Sequence, residues 1–150
     1  MILSGRDIDW YIQTGKLEIS PVSPEQFQQN GIDLILDEVE QKQEYILHPD
    51  YFSAFKFCLG CTRETLKLPD DLMAFVELRS TWARNGLIIP PTIVDAGFPG
   101  NLTLEILPCQ DLKVPYGERF AHLIFSRLTS PSEPYRGKYS GQKGITRSIL

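Results

Sequence analysis

Apolar and polar positions alternate along most of the chain. Leu102, Leu104 and Ile106 interleave with Asn101, Thr103 and Glu105, the period of a half-buried strand. The same pattern predicts strands at 16–19, 32–36, 45–47, 54–59, 73–78, 88–89 and 120–128. Pro69-Asp70-Asp71, Phe98-Pro99-Gly100 and Pro115-Tyr116-Gly117 read as the turns between them. A helical pattern stands out only near the start. Ser4 and Asp7 form a capping-box signature, Ile8, Tyr11 and Ile12 share a face, and Gly15 is placed to end the helix. Ser23-Pro24-Glu25-Gln26 starts a second, short helix with proline at its first position. Short strands at this spacing predict a mainly β sandwich or barrel with a short N-terminal helix. With no internal repeat or linker, residues 1–150 read as one domain. The last twenty residues, rich in Ser, Pro, Gly and Tyr, read as a mobile C-terminal arm from about residue 131.

Composition narrows the class. The chain has 150 residues, 42% apolar and 23% charged, the balance of an ordinary globular protein. No apolar run approaches the ~20 residues needed to span a bilayer, and MILSGRDIDW lacks the long apolar stretch of a signal peptide. Three cysteines do not make a disulfide framework. These features predict a cytoplasmic protein with no membrane partner. A net charge of −4 argues against a nucleic-acid partner. The charge is uneven, however. Residues 111–150 carry seven basic and three acidic side chains, net +4, while residues 1–110 carry eight and sixteen, net −8. A basic end on an acidic body suits a small polyanion, although a solvated tail would have the same composition.

Two stretches carry chemistry. In Arg79-Ser80-Thr81-Trp82-Ala83-Arg84, two arginines flank two hydroxyls beside a strand end. As a helical turn, this segment could hold phosphate oxygens through its N–H groups and hydroxyls while the guanidiniums neutralise them. Its plainer reading is a surface helix with a buried Trp82. Downstream, Asp95 precedes a glycine-rich turn, and Glu105 falls on the polar side of the Leu102–Ile106 alternation. A solvent-facing glutamate is the ordinary case there. Cys58-x-x-Cys61 is weak as a metal motif: zinc needs two more ligands, and strand positions i and i+3 face opposite ways. Cys109, His48 and His122 lack ligand spacing. His122 reads as a hydrogen-bonded core or interface histidine, and Trp10, Tyr11 and Trp82 as packing groups.

The ordered motifs RSTWARNGL, TIVDAGFPGNLTLEI, LKVPYGERFAHLIF and PYRGKYSGQKG resemble the dCTP deaminase family of the trimeric dUTPase-like superfamily. MILSGRDIDWYIQTGKLEISP, NGIDL and LKLPDDLMAFVELRS match in order, and the stretch between Leu36 and Phe57 is the least recognisable. The resemblance implies a distorted β-barrel or jelly-roll of the dUTPase-like type, assembled as a homotrimer with active sites between subunits. It implies dCTP as substrate, with Arg79, Ser80, Thr81 and Arg84 on the triphosphate and Asp95 on the deoxyribose 3′-hydroxyl. Thr81 and Trp82 depart from the commonest form of that phosphate motif. The backbone at Thr103 and Leu104 would read the cytosine edge. Glu105 would be the catalytic proton shuttle, oriented with its water by Ser80 and Arg84, and Tyr135, Lys138 and Gln142 would close over the nucleotide.

The implied chemistry is hydrolysis of dCTP to dUTP and ammonia without zinc, with Mg²⁺ bound through the triphosphate and dTTP or dUTP as possible inhibitors. The zinc-deaminase pattern H-x-E…P-C-x-x-C is absent from the chain. Three alternatives stay open at this level. The chain could be a dUTP pyrophosphatase using Asp95, a bifunctional enzyme forming dUMP, or a non-catalytic nucleotide-binding regulator. Glu105 and the Ser140–Gly144 arm sequence, in place of a glycine-rich arm with a stacking phenylalanine, favour deamination.

Overall fold

The computed structural model describes residues 1–41, 44–47 and 51–150; His48 lies outside them. The chain opens with α1 (Gly5–Gln13). The Asp7 N–H donates to Ser4 Oγ at 3.1 Å, and the Ser4 N–H donates back to Asp7 Oδ2 at 3.2 Å. This reciprocal cap satisfies two otherwise orphaned donors, and losing such a cap costs about 1 kcal/mol. Ile8 and Tyr11 are buried, and Gly15 takes a left-handed φ of 71° just past the helix end. The expected second helix is one 3₁₀ turn, Pro24–Gln26.

The strands follow as β1 (Glu18–Ser20), β2 (Phe27–Gln28), β3 (Gly31–Gln41), β4 (Glu44–Leu47), β5 (Tyr51–Phe52), β6 (Cys58–Lys67) and β7 (Leu72–Leu78). After α2 (Ser80–Arg84) come β8 (Leu87–Ile88), β9 (Thr92–Val94), β10 (Pro99–Pro108), β11 (Leu112–Lys113) and β12 (Arg119–Arg127). Among the described residues, ten strands form one sheet in the order β8-β10-β6-β3-β12-β7-β9, with β1 on β6 and β2 and β4 on β3. β11 and β5 form a separate pair. The paired neighbours are antiparallel, and register shifts interrupt β10–β6, β3–β6 and β12–β3. Each bends its strand and increases the twist, which curls the sheet into the half-barrel of a mainly β fold.

The curl encloses one core. Leu72, Ala74 and Val76 of β7 point inward, while Met73, Phe75 and Glu77 alternate away. Leu34, Leu66, Leu104, Ile106, Phe120 and Phe125 are fully buried or nearly so. Each such side chain contributes roughly 1.5–3 kcal/mol relative to exposure. Among the described residues, no helix is long and apolar enough to cross a membrane.

Two local expectations are corrected. Residues 54–57 are not a strand. Phe55 sits at φ 57°, the Ala54 N–H donates to Asp111 Oδ1 at 2.7 Å, and the Phe55 N–H donates to the Pro108 carbonyl at 2.7 Å. The true strand runs Cys58–Lys67, and Arg63, Glu64 and Lys67 obscured it by interrupting the apolar alternation. The turn expected at 98–100 comes earlier, at Ala96-Gly97 with Gly97 at φ 78°, so Pro99 and Gly100 already belong to β10.

Candidate active site

Strand β10 supplies the floor of the site. Its alternation is strict: Leu102, Leu104 and Ile106 are buried, while Asn101, Thr103 and Glu105 are half-buried on the other face. The ladder to β6 is interrupted between Asn101 and Thr103. Side chains replace the missing rungs there. Asn101 Nδ2 donates to the Thr62 and Glu64 carbonyls at 3.2 and 3.0 Å, and the Leu102 N–H donates to Thr62 Oγ1 at 3.1 Å. These bonds fix the direction in which Thr103 and Glu105 leave the bulge.

Glu64 itself is fully buried behind this wall. Its carboxylate accepts from the Ile35 N–H at 3.0 Å and from the Gln26 amide at 2.8 Å. Burial still dominates and pushes its pKa up to about 7. Nothing in the sequence pattern singled out Glu64, because a charged residue within a strand reads as solvent-facing.

In front of β10 lies a cavity of about 540 Å³, within the range of small-ligand sites. Thr103 and Glu105 line it from β10, and Asp95 from the end of β9. Tyr135 and Gln142 of the C-terminal arm also line it. Five expected site residues thus share one space. Leu104 does not open into it: the side chain is 2% exposed, in the core. The backbone of Leu104 pairs with Gly60 of β6. Phe57, Ile93, Tyr139, Thr146 and Ser148 also line the cavity and were not foreseen. The arm residues among them could have been suspected from composition, but Phe57 and Ile93 gave no signal.

The arm lies on its own chain. The Tyr135 N–H donates to the Ala96 carbonyl at 3.1 Å, and the ring packs edge-on against Phe98 with centroids 5.5 Å apart. The Thr146 N–H donates to Thr103 Oγ1 at 3.0 Å, and Arg147 pairs with Glu40 of β3. Lys138 points elsewhere and donates to the Ile149 carbonyl at 2.8 Å.

Arg79, Ser80, Thr81 and Arg84 do not line this cavity. The segment is the expected helical turn, with Trp82 buried and its indole N–H donating to the Arg119 carbonyl at 2.8 Å. Ser80, Thr81 and Arg84 are exposed. Arg79 is anchored: its Nε lies 3.0 Å from Asp33 Oδ2. Asp33, 1% exposed, also meets Arg119 Nη1 at 3.4 Å and His122 Nδ1 at 2.8 Å. His122 is therefore hydrogen-bonded as expected. A buried carboxylate needs such partners to offset its desolvation.

Cys58 and Cys61 are both buried free thiols, and burial pushes each pKa up to about 11. They fall on opposite parities of β6, and both faces of the strand are covered there. Among the described residues, no group of three or more His, Cys, Asp or Glu side chains is gathered for a metal ion.

A family model for dCTP deaminase-like proteins matches residues 36–128. A probable deoxyuridine 5′-triphosphate nucleotidohydrolase of Sulfolobus islandicus rod-shaped virus 1 is 47% identical over 97% of each chain. The dCTP deaminase of Acidianus ambivalens is 42% identical over 97% of this chain and 96% of its own. In three dimensions, the dCTP deaminase from Agrobacterium tumefaciens superposes with a TM-score of 0.72 at 19% identity, over 85% of this chain and 47% of that one. This chain thus spans about half the length of that structure. The native EIAV dUTPase superposes with a TM-score of 0.58 at 20% identity, over 81% of this chain and 97% of that one. The motifs, the curled sheet and these likenesses agree, and the chain belongs to the dCTP deaminase-like family, enzymes built on the dUTPase-like fold.

Proposed function

We propose that the protein hydrolyses dCTP to dUTP and ammonia. The observation that carries this reading is one cavity holding Glu105, Thr103 and Asp95 together under the arm residues Tyr135 and Gln142. The cavity has room for a nucleoside, and its floor offers a half-buried carboxylate beside backbone groups. Glu105 takes a proton from the water that attacks C4 of cytosine. It gives that proton to N3, then takes the second proton from the new C4 hydroxyl and passes it to the amino group, so C4=O forms as the C4–N bond breaks and ammonia leaves. General acid–base assistance of this kind contributes ~10²–10⁴ in rate. Asp95 holds the deoxyribose 3′-hydroxyl. The Thr103–Leu104 backbone reads the base edge, a role suited to Leu104 because its side chain is committed to the core.

The triphosphate falls to Arg79, Ser80, Thr81 and Arg84. Their separation from the Glu105 cavity supports sites shared between subunits, with α2 of one protomer serving the cavity of the next in a homotrimer. Ser80 and Arg84 would then orient Glu105 and its water across the interface. Mg²⁺ fits this site as a passenger of the substrate, since the cavity offers two carboxylates and no gathered ligand set among the described residues. Bound to the triphosphate, it neutralises phosphate charge. The reaction needs no zinc in this scheme. dUTP and dTTP, which share the triphosphate and deoxyribose, are the expected inhibitors. The work belongs to cytoplasmic supply of pyrimidine deoxynucleotides.

One observation favours a second reading. The viral relative at 47% identity is named as a probable dUTP nucleotidohydrolase, and Asp95 stands exposed at the cavity where it could activate water for attack on the α-phosphate. The test is to incubate the protein with dCTP and Mg²⁺ and separate the nucleotides by chromatography. Accumulation of dUTP with equimolar ammonia supports deamination. Onward formation of dUMP assigns both activities to the chain. Turnover of dUTP but not dCTP overturns the deaminase reading.

A further inference from the structure

Asn101 employs its backbone and side chain in both directions at once. Toward the body of the protein, its Nδ2 donates to the carbonyls of Thr62 and Glu64 at 3.2 and 3.0 Å. Toward the arm, its backbone N–H donates to the Gln142 carbonyl at 3.0 Å, and its carbonyl accepts from Gln142 Nε2 at 2.6 Å. Its Oδ1 accepts from the Gly144 N–H at 3.1 Å. The two carbonyls behind the amide settle its orientation: only the NH₂ can face them, so the oxygen must face the arm. Gly100, one residue earlier, lets the arm approach. A Cβ there would stand 2.7 Å from the Gln142 carbonyl oxygen, and its φ of 140° suits glycine alone. The arm joins Gly100 in a parallel bridge and meets Thr103 two residues beyond Asn101.

We infer that Asn101 is a positioning residue that clasps the C-terminal arm onto the cavity of its own chain. It lies four residues before Glu105 on the same face of β10, so one side chain holds the floor of the site and its cover in register. This rests on the reading of the cavity as a nucleotide site and adds a residue to it. The clasp acts through Gln142 and Gly144 and need not touch the nucleotide.

Asn101→Asp tests the amide with little change of shape, since a carboxylate oxygen would face the Thr62 and Glu64 carbonyls. Asn101→Ala removes it. Trypsin cleavage at Lys143, between the two clasped residues, reads arm seating in ligand-free protein. Both variants should be cut there at least about tenfold faster than the native chain. Their KM for dCTP should rise by about tenfold, the scale of one or two lost hydrogen bonds. In a chain ending at residue 140, Asn101→Ala should change KM by less than about twofold, because coupled residues lose their effect when the partner is gone. Gln142→Ala removes one clasp bond from the arm side, leaves the core bonds intact, and should reproduce the faster cleavage. Unchanged cleavage in the Gln142 variant, or an equal KM rise in the full and shortened chains, overturns the clasp. If the native protein turns over neither dCTP nor dUTP, the functional reading fails, while the ligand-free cleavage rates still decide the clasp.

Discussion

Glu64 and Glu105 are both strand glutamates, yet their surroundings give them opposite work. Glu105 alternates cleanly with Leu104 and Ile106 and opens into the cavity. Glu64 is sealed behind the bulge with its pKa raised to about 7. Between about pH 4.5 and 7, the folded protein binds a proton at Glu64 that the unfolded chain releases. Its contribution to stability is therefore fully present at low pH and is lost as pH rises through about 7. Glu64→Gln removes the titration while keeping most of the shape. The variant should gain stability relative to the native protein from pH 5 to pH 8, by about 3 kcal/mol at most. Chemical denaturation at both pH values measures this, and a pH-independent difference would refute it. Cys58 and Cys61, with pKa near 11, should resist alkylation at pH 8 until the protein unfolds, whereas half-buried Cys109 reacts. Equal labelling of all three thiols in native protein would contradict that. The place of Glu105 on the polar side of β10 was legible because its neighbours keep a period of two, while its candidate role came from the family resemblance. Glu64 was not, because its role comes from strands paired far along the chain.

At the scale of elements, α1, the Pro24 turn, β7, β10 and β12 were legible because local rules fix them: caps, proline at a helix start, and alternation. The segment 54–57 was misread because its phenylalanines look like a strand, while backbone bonds to Pro108 and Asp111 hold it as a turn. Helix α2 was read correctly, but the inequality of its two arginines was hidden. Arg79 is tied to buried Asp33, while Arg84 is exposed. Arg79→Ala should therefore lower stability as well as binding. Removing one partner of a buried pair costs ~3–5 kcal/mol, less here because Arg79 is partly exposed. Arg84→Ala should leave the unfolding midpoint nearly unchanged and weaken dCTP binding by about tenfold or more, with poor rescue by lysine because the planar fork is lost. Calorimetric unfolding and KM together check this. Identical unfolding midpoints for both alanine variants would refute the anchoring of Arg79, and an unchanged KM in Arg84→Ala would remove that residue from the site.

At the scale of the whole molecule, the expected site residues fall into two halves. Glu105, Asp95 and the arm share one cavity, and the basic helix α2 stands apart from it. The family resemblance assigns both halves to a site between subunits, and within one chain the fold keeps α2 out of the cavity lining. If neighbouring protomers complete each other, unfolding and reassembling equal amounts of Arg84→Ala and Glu105→Gln chains should restore about a quarter of the native sites, each pairing an intact cavity with an intact helix. No recovery would place both halves within one chain. The most direct test of the account is the rate of ammonia release from saturating dCTP and Mg²⁺ by native protein and by Glu105→Gln. Glutamine keeps the size and much of the hydrogen bonding of Glu105 but cannot accept the proton from water. The account predicts that the variant binds dCTP with near-native affinity while deamination falls by ~10²-fold or more. Deamination at the native rate in Glu105→Gln would contradict it.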